Sequence, residues 1–230
     1  MPINAGAGNL EGNAPNKMVI PTFDGLDVLP PVFHIADLTI RFGWKPRECL
    51  QRLFRWKSHG KVKEMAGLCG IYANIATHQY PNWELGFRMV APTALVIGIE
   101  ILRRAGWTTQ IPYVPTVAVS ETHRIQLAEH FEILVQPQEW YSEIVDGVQS
   151  GEGIALPHLA PAWALADLIK REGWCDCGLG PDDIYWGMVT EKDQIDWANA
   201  CTALGLGALS MNPDSNRTDY GARPPNFASF

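Results

Sequence analysis

The sequence predicts an α+β fold built from a short N-terminal unit and a longer C-terminal unit. Two segments with helical spacing come first, and two β-like runs follow around a pair of glycines. Further β-like runs and amphipathic helices then share the rest of the chain, which predicts a mixed sheet-and-helix unit. With 230 residues, 47% of them apolar, the chain can bury a sizeable core.

Two helices are predicted at the start of the N-terminal unit. The first begins near Phe33 and ends at Gly43, because glycine favours a helix end. The second covers residues 46–58, and its first turn tolerates Pro46. Its apolar side consists of Pro46, Cys49, Leu50, Leu53, Phe54 and Trp56. We expect Trp44, Leu50, Leu53, Phe54 and Trp56 to lie in the core.

A hairpin is predicted after the second helix. Residues 61–66 and 70–75 are β-like, and Gly67-Leu68-Cys69-Gly70 lies between them. Helix, turn, polar-faced helix and hairpin follow one another in the order of a winged helix-turn-helix, which we therefore predict at residues 33–78. Residues 1–32 are rich in Gly, Asn, Asp and Pro, and we expect them to form a flexible arm.

The charge distribution favours DNA as the ligand of this unit. Residues 41–63 contain eight basic residues and one acidic residue, so this segment has a net charge of +7. The whole chain has a net charge of −7, which leaves −14 for the remainder. A basic segment on an otherwise acidic protein is typical of a nucleic-acid-binding module.

The second helix is expected to enter the major groove of double-stranded DNA, the predicted partner. Arginine suits guanine and glutamine suits adenine in bidentate contacts, so the base-contacting residues are predicted to be Arg47, Gln51, Arg52 and Arg55. The phosphate-binding residues are predicted to be Arg41, Lys45, Lys57, Lys61 and Lys63. Glu48 is expected to pair with Arg52 one turn later, with a contact to cytosine as the alternative.

The C-terminal unit is predicted at residues 85–210, with a disordered tail at 211–230. We expect a helix from Pro92 to about Gly106, and a last helix that Thr190 caps and that ends near Gly205. Between them the pattern predicts strands at residues 113–120, 131–136, 144–148 and 153–157, and a helix at 159–171.

Four segments follow one another along the chain. They are Gly70-Ile71-Tyr72-Ala73, the stretch from Pro92 through Arg104-Ala105-Gly106-Trp107, Pro115-Thr116-Val117-Ala118-Val119, and Ile154-Ala155-Leu156-Pro157 followed by Ala162 to Leu168. In their order and spacing, over about residues 33–171, these segments resemble the AbiEi family of type IV antitoxins from abortive-infection toxin–antitoxin systems. The resemblance implies a DNA-binding autorepressor of a two-gene operon. It also implies that the C-terminal domain counters a nucleotidyltransferase toxin, the functional partner.

No catalytic site, cofactor or metal is predicted. Asp167, His158 and Asp182-Asp183 are the best candidates for an enzyme, but Asp167 is expected on the polar side of its helix and the aspartate pair follows a Gly-Pro turn. Cys175 and Cys177 have C-x-C spacing, which is not the usual spacing of a zinc site. An orphan winged-helix regulator without a toxin and a protein-interaction module remain the alternative functions.

A cytoplasmic location is expected. The first 17 residues lack the apolar segment of a secretory signal, and residues 89–99 are too few to span a bilayer. Five cysteines form no regular framework, which favours reduced thiols.

Overall fold

The computed structural model describes residues 25–78, 80–121, 125, 128–150, 156–173 and 178–207. Over these residues the α+β class predicted from the sequence is confirmed, with two separate sheets and helices distributed along the chain. None of the helices that the structure describes is long and apolar enough to cross a lipid bilayer.

The elements follow one another as mixed helices and strands. The α-helices are α1 Ile35–Phe42, α2 Pro46–Ser58, α3 Trp83–Val90, α4 Ile99–Arg104, α5 Gln138–Ile144, α6 Pro161–Glu172 and α7 Glu191–Ala203. The strands are β1 Val32–His34, β2 Val62–Glu64, β3 Ile71–Asn74, β4 Leu95–Ile97, β5 Thr116–Ser120, β6 Glu132–Gln136, β7 Val148–Gln149 and β8 His158–Leu159. Short 3₁₀ helices lie at Leu26–Val28, Val145–Gly147, Pro181–Asp183 and Trp186–Met188.

The N-terminal unit combines α1 and α2 with a three-stranded antiparallel sheet in the order β1-β3-β2. The second predicted helix and the hairpin are present here with nearly the expected bounds. The first helix begins at Ile35 and not near Phe33, because Val32–His34 pair with β3 as strand β1, which was not predicted. α1 ends at Gly43, whose φ of 67° is a left-handed conformation that glycine adopts without strain. The hairpin pairs β2 with β3, with Lys63 opposite Ala73.

Residues 25–32 differ from the flexible arm that the sequence led us to expect. Leu26 and Leu29 are buried in the core of the N-terminal unit. The buried Asn74 side chain donates its Nδ2 hydrogens to the carbonyl oxygens of Leu26, at 2.9 Å, and Leu29, at 3.4 Å. These contacts hold the segment against β3. Residues 1–24 of the expected arm and the expected tail at 211–230 lie outside the described residues.

The C-terminal unit is organised around a five-stranded sheet in the order β6-β5-β4-β8-β7. β4 is its central strand, antiparallel to β5 and parallel to β8, and β6 is parallel to β5. α6 packs against both α4 and α7, and its residues from Ala162 to Ile169 are all buried. The sequence predicted α6, α7, β5 and β6 correctly, including the cap of α7, where the Thr190 side chain accepts from the Asp193 amide.

The helix expected from Pro92 to Gly106 is wrong in its first half. The structure has β4 at Leu95–Ile97 and only then α4 at Ile99–Arg104. Gly98 separates them with φ 74° and ψ −153°, a conformation outside the helical region. A short apolar run fits a helix face and a buried strand equally well, and here pairing on both sides of β4 selects the strand.

Two other segments also differ from the expectations. α3 was not predicted, although Asn82 caps it by accepting a hydrogen bond from the Leu85 amide at 2.9 Å. Residues 144–148, expected as a strand, form the end of α5 and a 3₁₀ helix, and only Val148 belongs to a strand. Of the strand expected at 153–157, residues 153–155 lie outside the described residues, and Leu156 and Pro157 precede β8 without belonging to a strand.

The three-stranded sheet connects the two units. One of its faces contributes Phe33 and Val62 to the core beneath α1 and α2. The other contributes Val32, Ile71 and Ala73 to the larger core of the C-terminal unit, and α3 packs against β1 and β3. The predicted domains at 33–78 and 85–210 therefore share apolar contacts through this sheet.

An ion-pair network fastens α4 beside α3. The Glu100 carboxylate accepts hydrogen bonds from Arg103 at 2.7 Å and from Arg104 at 2.8 Å, and Arg104 also binds Glu84 on α3. Burial by itself raises the pKa of Glu100, but the hydrogen bonds from the two arginines outweigh it and lower the pKa below 4.5.

This network is expected to make stability depend on acid pH. Because the pKa of Glu100 is lower in the folded chain, its contribution is complete above the unfolded pKa near 4.5 and is lost as the pH falls through the folded pKa. Glu100→Gln should therefore be less stable than wild type at neutral pH, by about 1–3 kcal/mol, and the difference should shrink below pH 4.5. Urea unfolding at a series of pH values measures this, and a pH-independent difference would contradict it.

Candidate nucleic-acid interface

The position of α2 follows from its buried side. Cys49, Leu53 and Trp56, which share one side of the helix, lie in the core of the N-terminal unit. Pro46 occupies the first turn, and Lys45 precedes it in an extended conformation, so the chain turns sharply between α1 and α2. The opposite side of α2 consequently points away from the core.

This outer side forms a continuous exposed surface, which we call the α2 stripe. Its residues line a shallow, open groove of about 810 Å³ and are Arg47, Leu50, Gln51, Phe54, Arg55 and Ser58. The spacing repeats every three or four residues, as one face of a helix requires. Of the residues that the structure describes, none makes a hydrogen bond or ion pair with the side chains of Arg47, Gln51 and Arg55.

Leu50 and Phe54 were expected in the core, and this expectation is wrong. Leu50 is 58% exposed and Phe54 is 76% exposed. The apolar arc of α2 is wider than the contact that α1 and the small sheet offer, so only its centre is buried. The spacing could have indicated this, because Leu50 lies three positions after Arg47 and Phe54 lies three positions after Gln51, which places them on the same face.

Arg52 lies beside the α2 stripe. The predicted pair with Glu48 is present, with Nε and Nη2 of Arg52 at 3.2 and 3.0 Å from the same carboxylate oxygen. The guanidinium also lies 3.9 Å from the ring centroid of Trp44, which stacks on Phe42. These contacts stabilise the turn between α1 and α2. A base contact by Arg52 would require the side chain to leave them.

The predicted phosphate-binding side chains are all exposed around α2 and the hairpin, and they are Arg41, Lys45, Lys57, Lys61 and Lys63. Lys57 pairs with Glu64, which joins the end of α2 to β2, and this hydrogen bond raises the pKa of Lys57. Lys63 lies 5.5 Å from the ring centroid of Trp83 on α3. The basic residues thus extend from the last turn of α1, through α2, to the hairpin.

The hairpin is held against the start of α1. Gly70 has φ 75°, and a Cβ atom there would lie 2.8 Å from Nε2 of His34. The Gly70 carbonyl accepts a hydrogen bond from the Ile35 amide at 2.9 Å. A glycine is therefore required at this position for both conformation and space. The hairpin and α2 lie on the same small unit with a defined relative position.

The candidate enzyme residues do not form a site among the described residues. Asp167 is fully buried, not on a polar side as expected, and binds Trp140 and Arg171. Asp183 accepts from the Gly180 amide at 2.7 Å, a local role at the turn. In the described part of the chain, no three His, Cys, Asp or Glu residues are grouped closely enough to hold a metal ion.

Cys175, Cys177 and Cys201 give no support for a metal or catalytic site. Cys175 and Cys177 lie outside the described residues. Cys201 is a buried free thiol, and its burial raises the pKa to about 11. A thiol with that pKa stays protonated at neutral pH and is a poor metal ligand and nucleophile.

No protein-family model matches this chain, and no curated protein matches it in sequence. Among solved structures, it is similar to the crystal structure of the RV2827C protein from Mycobacterium tuberculosis, with 15% sequence identity and a TM-score of 0.43. The similarity covers 84% of this chain and 77% of that one.

Proposed function

We propose that this chain binds double-stranded DNA through a winged helix-turn-helix formed by α1, α2 and the β2–β3 hairpin. The observation that carries the proposal is the α2 stripe, in which Arg47, Gln51 and Arg55 are exposed and make no polar contact with other described residues. Exposed donors that no described residue binds, on the outer side of a basic helix, suit contacts with base edges.

The arrangement of the N-terminal unit supports the same proposal. α1 and α2 are joined by a tight turn, and the hairpin follows α2 directly, as in a helix-turn-helix with a wing. In this docking, Arg47 and Arg55 contact guanine and Gln51 contacts adenine. Arg41, Lys45, Lys57, Lys61 and Lys63 contact phosphates. Arg52 acts mainly through Trp44 and Glu48, by holding the turn.

The experiment is fluorescence-anisotropy titration of the DNA upstream of the encoding gene and of a scrambled duplex, over a series of salt concentrations. Selective binding with a negative salt slope is expected, because phosphate contacts release counterions. Arg47→Ala/Arg55→Ala should weaken selective binding by about 30-fold or more, since each arginine–guanine contact contributes about 1–3 kcal/mol.

A charge-matched control separates base contacts from general attraction. Lys170→Ala/Lys192→Ala removes the same number of positive charges from α6 and α7, where the two lysines pair with Glu143 and Asp196. It should leave the preference for the upstream DNA unchanged. Equal affinity for both duplexes, or equal losses in the two variants, would refute sequence-selective binding through α2.

We also propose that the chain represses its own operon and acts as a cytoplasmic, non-enzymatic antitoxin. Support comes from its resemblance to AbiEi-family antitoxins, which are DNA-binding autorepressors and counter nucleotidyltransferase toxins. Co-expression with a nucleotidyltransferase encoded beside its gene tests this role, and restored growth of the host is the expected result. Growth arrest that persists would leave a DNA-binding regulator without a toxin partner.

A protein-interaction module is the second candidate function. The exposure of Leu50 and Phe54 in the middle of a basic stripe favours it, because apolar residues ringed by charge are frequent at protein interfaces. The same titration discriminates the two functions. A module that binds an acidic protein partner would show no preference between the upstream and scrambled duplexes.

A further inference from the structure

Two large apolar side chains occupy the centre of the surface that is proposed to face DNA. Leu50 and Phe54 lie one helical turn apart, and Arg47, Gln51 and Arg55 flank them on the same face. The core of the N-terminal unit does not use them, since Cys49, Leu53 and Trp56 fill the buried side of α2. Their location points to contact with a ligand on this face.

The ligand must be apolar opposite Leu50 and Phe54 and negatively charged around them. Among the groups that base pairs present in the major groove, the C5-methyl of thymine is apolar, and leucine- and phenylalanine-sized side chains can cover it. The phosphates on both sides of the groove match the exposed positive charges of Arg41, Lys45 and Lys61. A thymine-containing major groove satisfies both requirements.

The spacing also suits neighbouring base pairs. Residues four apart on a helix are separated by about 6 Å along its axis, and successive base pairs are separated by about 3.4 Å along the DNA axis. Leu50 and Phe54 can therefore each cover a methyl group one or two base pairs from the other. Gln51 and the two arginines remain available for adenine and guanine beside them.

We infer that Leu50 and Phe54 are specificity-determining residues that recognise thymine methyl groups in the bound DNA. This inference rests on the proposed function. The preferred half-site then contains thymines within one or two base pairs of each other, next to guanine or adenine. Thymine contributes here through its methyl group and not through a hydrogen bond.

The test begins with selection of binding sequences from a library of random duplexes by the full-length protein. Each thymine of the selected duplex is then replaced by deoxyuridine, which lacks only the methyl group. Replacement at one or two positions should weaken binding about fourfold per methyl, as expected for one buried methyl group. Replacement elsewhere should have no effect.

Variants assign the methyl contacts to residues. In Leu50→Ala and Phe54→Ala, the deoxyuridine penalty at the corresponding position should disappear, which is the result of a double-mutant cycle for two groups in contact. Ile195→Ala is the matched control, because Ile195 on α7 is 63% exposed and apolar but lies outside the α2 stripe. It should retain the full penalty. Both α2 variants should fold, since the side chains removed are exposed.

The outcomes separate this inference from the proposed function. Selective DNA binding that is insensitive to every deoxyuridine replacement overturns the role of Leu50 and Phe54 and leaves DNA binding intact. A selection that enriches no sequence overturns both. If Phe54→Ala abolishes self-association in sedimentation while the deoxyuridine penalty is unchanged, the apolar residues cover a second copy of the chain, and the inference is wrong.

Discussion

Replacing Asp167 by alanine is expected to lower the free energy of unfolding by about 3 kcal/mol. The carboxylate is fully buried between α5 and α6, where Oδ1 accepts from the Trp140 indole at 2.8 Å and Oδ2 accepts from Arg171 Nε at 3.0 Å. Its removal leaves a buried indole donor and a largely buried guanidinium without their acceptor. The estimate is at the lower end for a broken buried pair, because Arg171 still has its ion pair with Glu172.

Glu143→Ala is the matched control for this substitution. Glu143 on α5 pairs with Lys170 on α6 at 2.8 Å, between the same two helices, but both side chains are more than one-third exposed. An exposed pair contributes about 0–1 kcal/mol, so this variant should unfold close to wild type. Urea unfolding of both variants measures the difference. Similar losses in the two would show that burial does not determine the contribution of these pairs.

The second large effect is expected at Gly147, in the 3₁₀ helix after α5. A Cβ atom at this position would lie 2.3 Å from Cγ of the buried Trp163 on α6. The Gly147 carbonyl also accepts from the Ala160 amide at 2.7 Å, so the backbone is held on that side. Gly147→Ala must displace either the indole or α6, and it should cost about 3 kcal/mol, the upper end for overpacking.

Gly86→Ala provides the comparison. The added Cβ would lie 2.6 Å from both Sδ and Cε of Met65, but these two atoms form the end of a flexible side chain that can rotate away. Alanine is also the better residue inside α3 by about 1 kcal/mol. We expect thermal unfolding of Gly86→Ala near that of wild type, and of Gly147→Ala well below it. The reverse order would mean that Trp163 moves more easily than Met65.

Local pattern predicted much of the N-terminal unit. The bounds of α2 agree with the predicted 46–58 because Pro46 marks its first turn and a glycine follows its end. The two strands of the hairpin also lie within the predicted segments, on either side of Gly67 and Gly70. These features depend on residues close together in the chain, so a single sequence contains them.

The C-terminal unit was predicted less well, and β4 shows why. Leu95, Val96 and Ile97 are three consecutive apolar residues that are all buried, so the run has no polar–apolar periodicity that would distinguish a helix from a buried strand. The decision comes from β5 and β8, which lie far along the chain and supply hydrogen bonds on both edges. Asp167 is similar, since its burial depends on Trp140, which lies 27 residues earlier.

The features of the candidate interface likewise fall into those that the sequence predicts and those that depend on tertiary structure. Sequence alone determined that residues 41–63 are strongly basic and that a helix covers 46–58, and it gave Arg47, Gln51, Arg52 and Arg55 as the candidate base-contacting residues. Only the tertiary structure decided that Arg52 is held by Glu48 and Trp44, and that Leu50 and Phe54 are exposed. The physical reason is that a helical pattern defines which residues share a side, whereas the width of the buried arc depends on how much surface the neighbouring elements can cover.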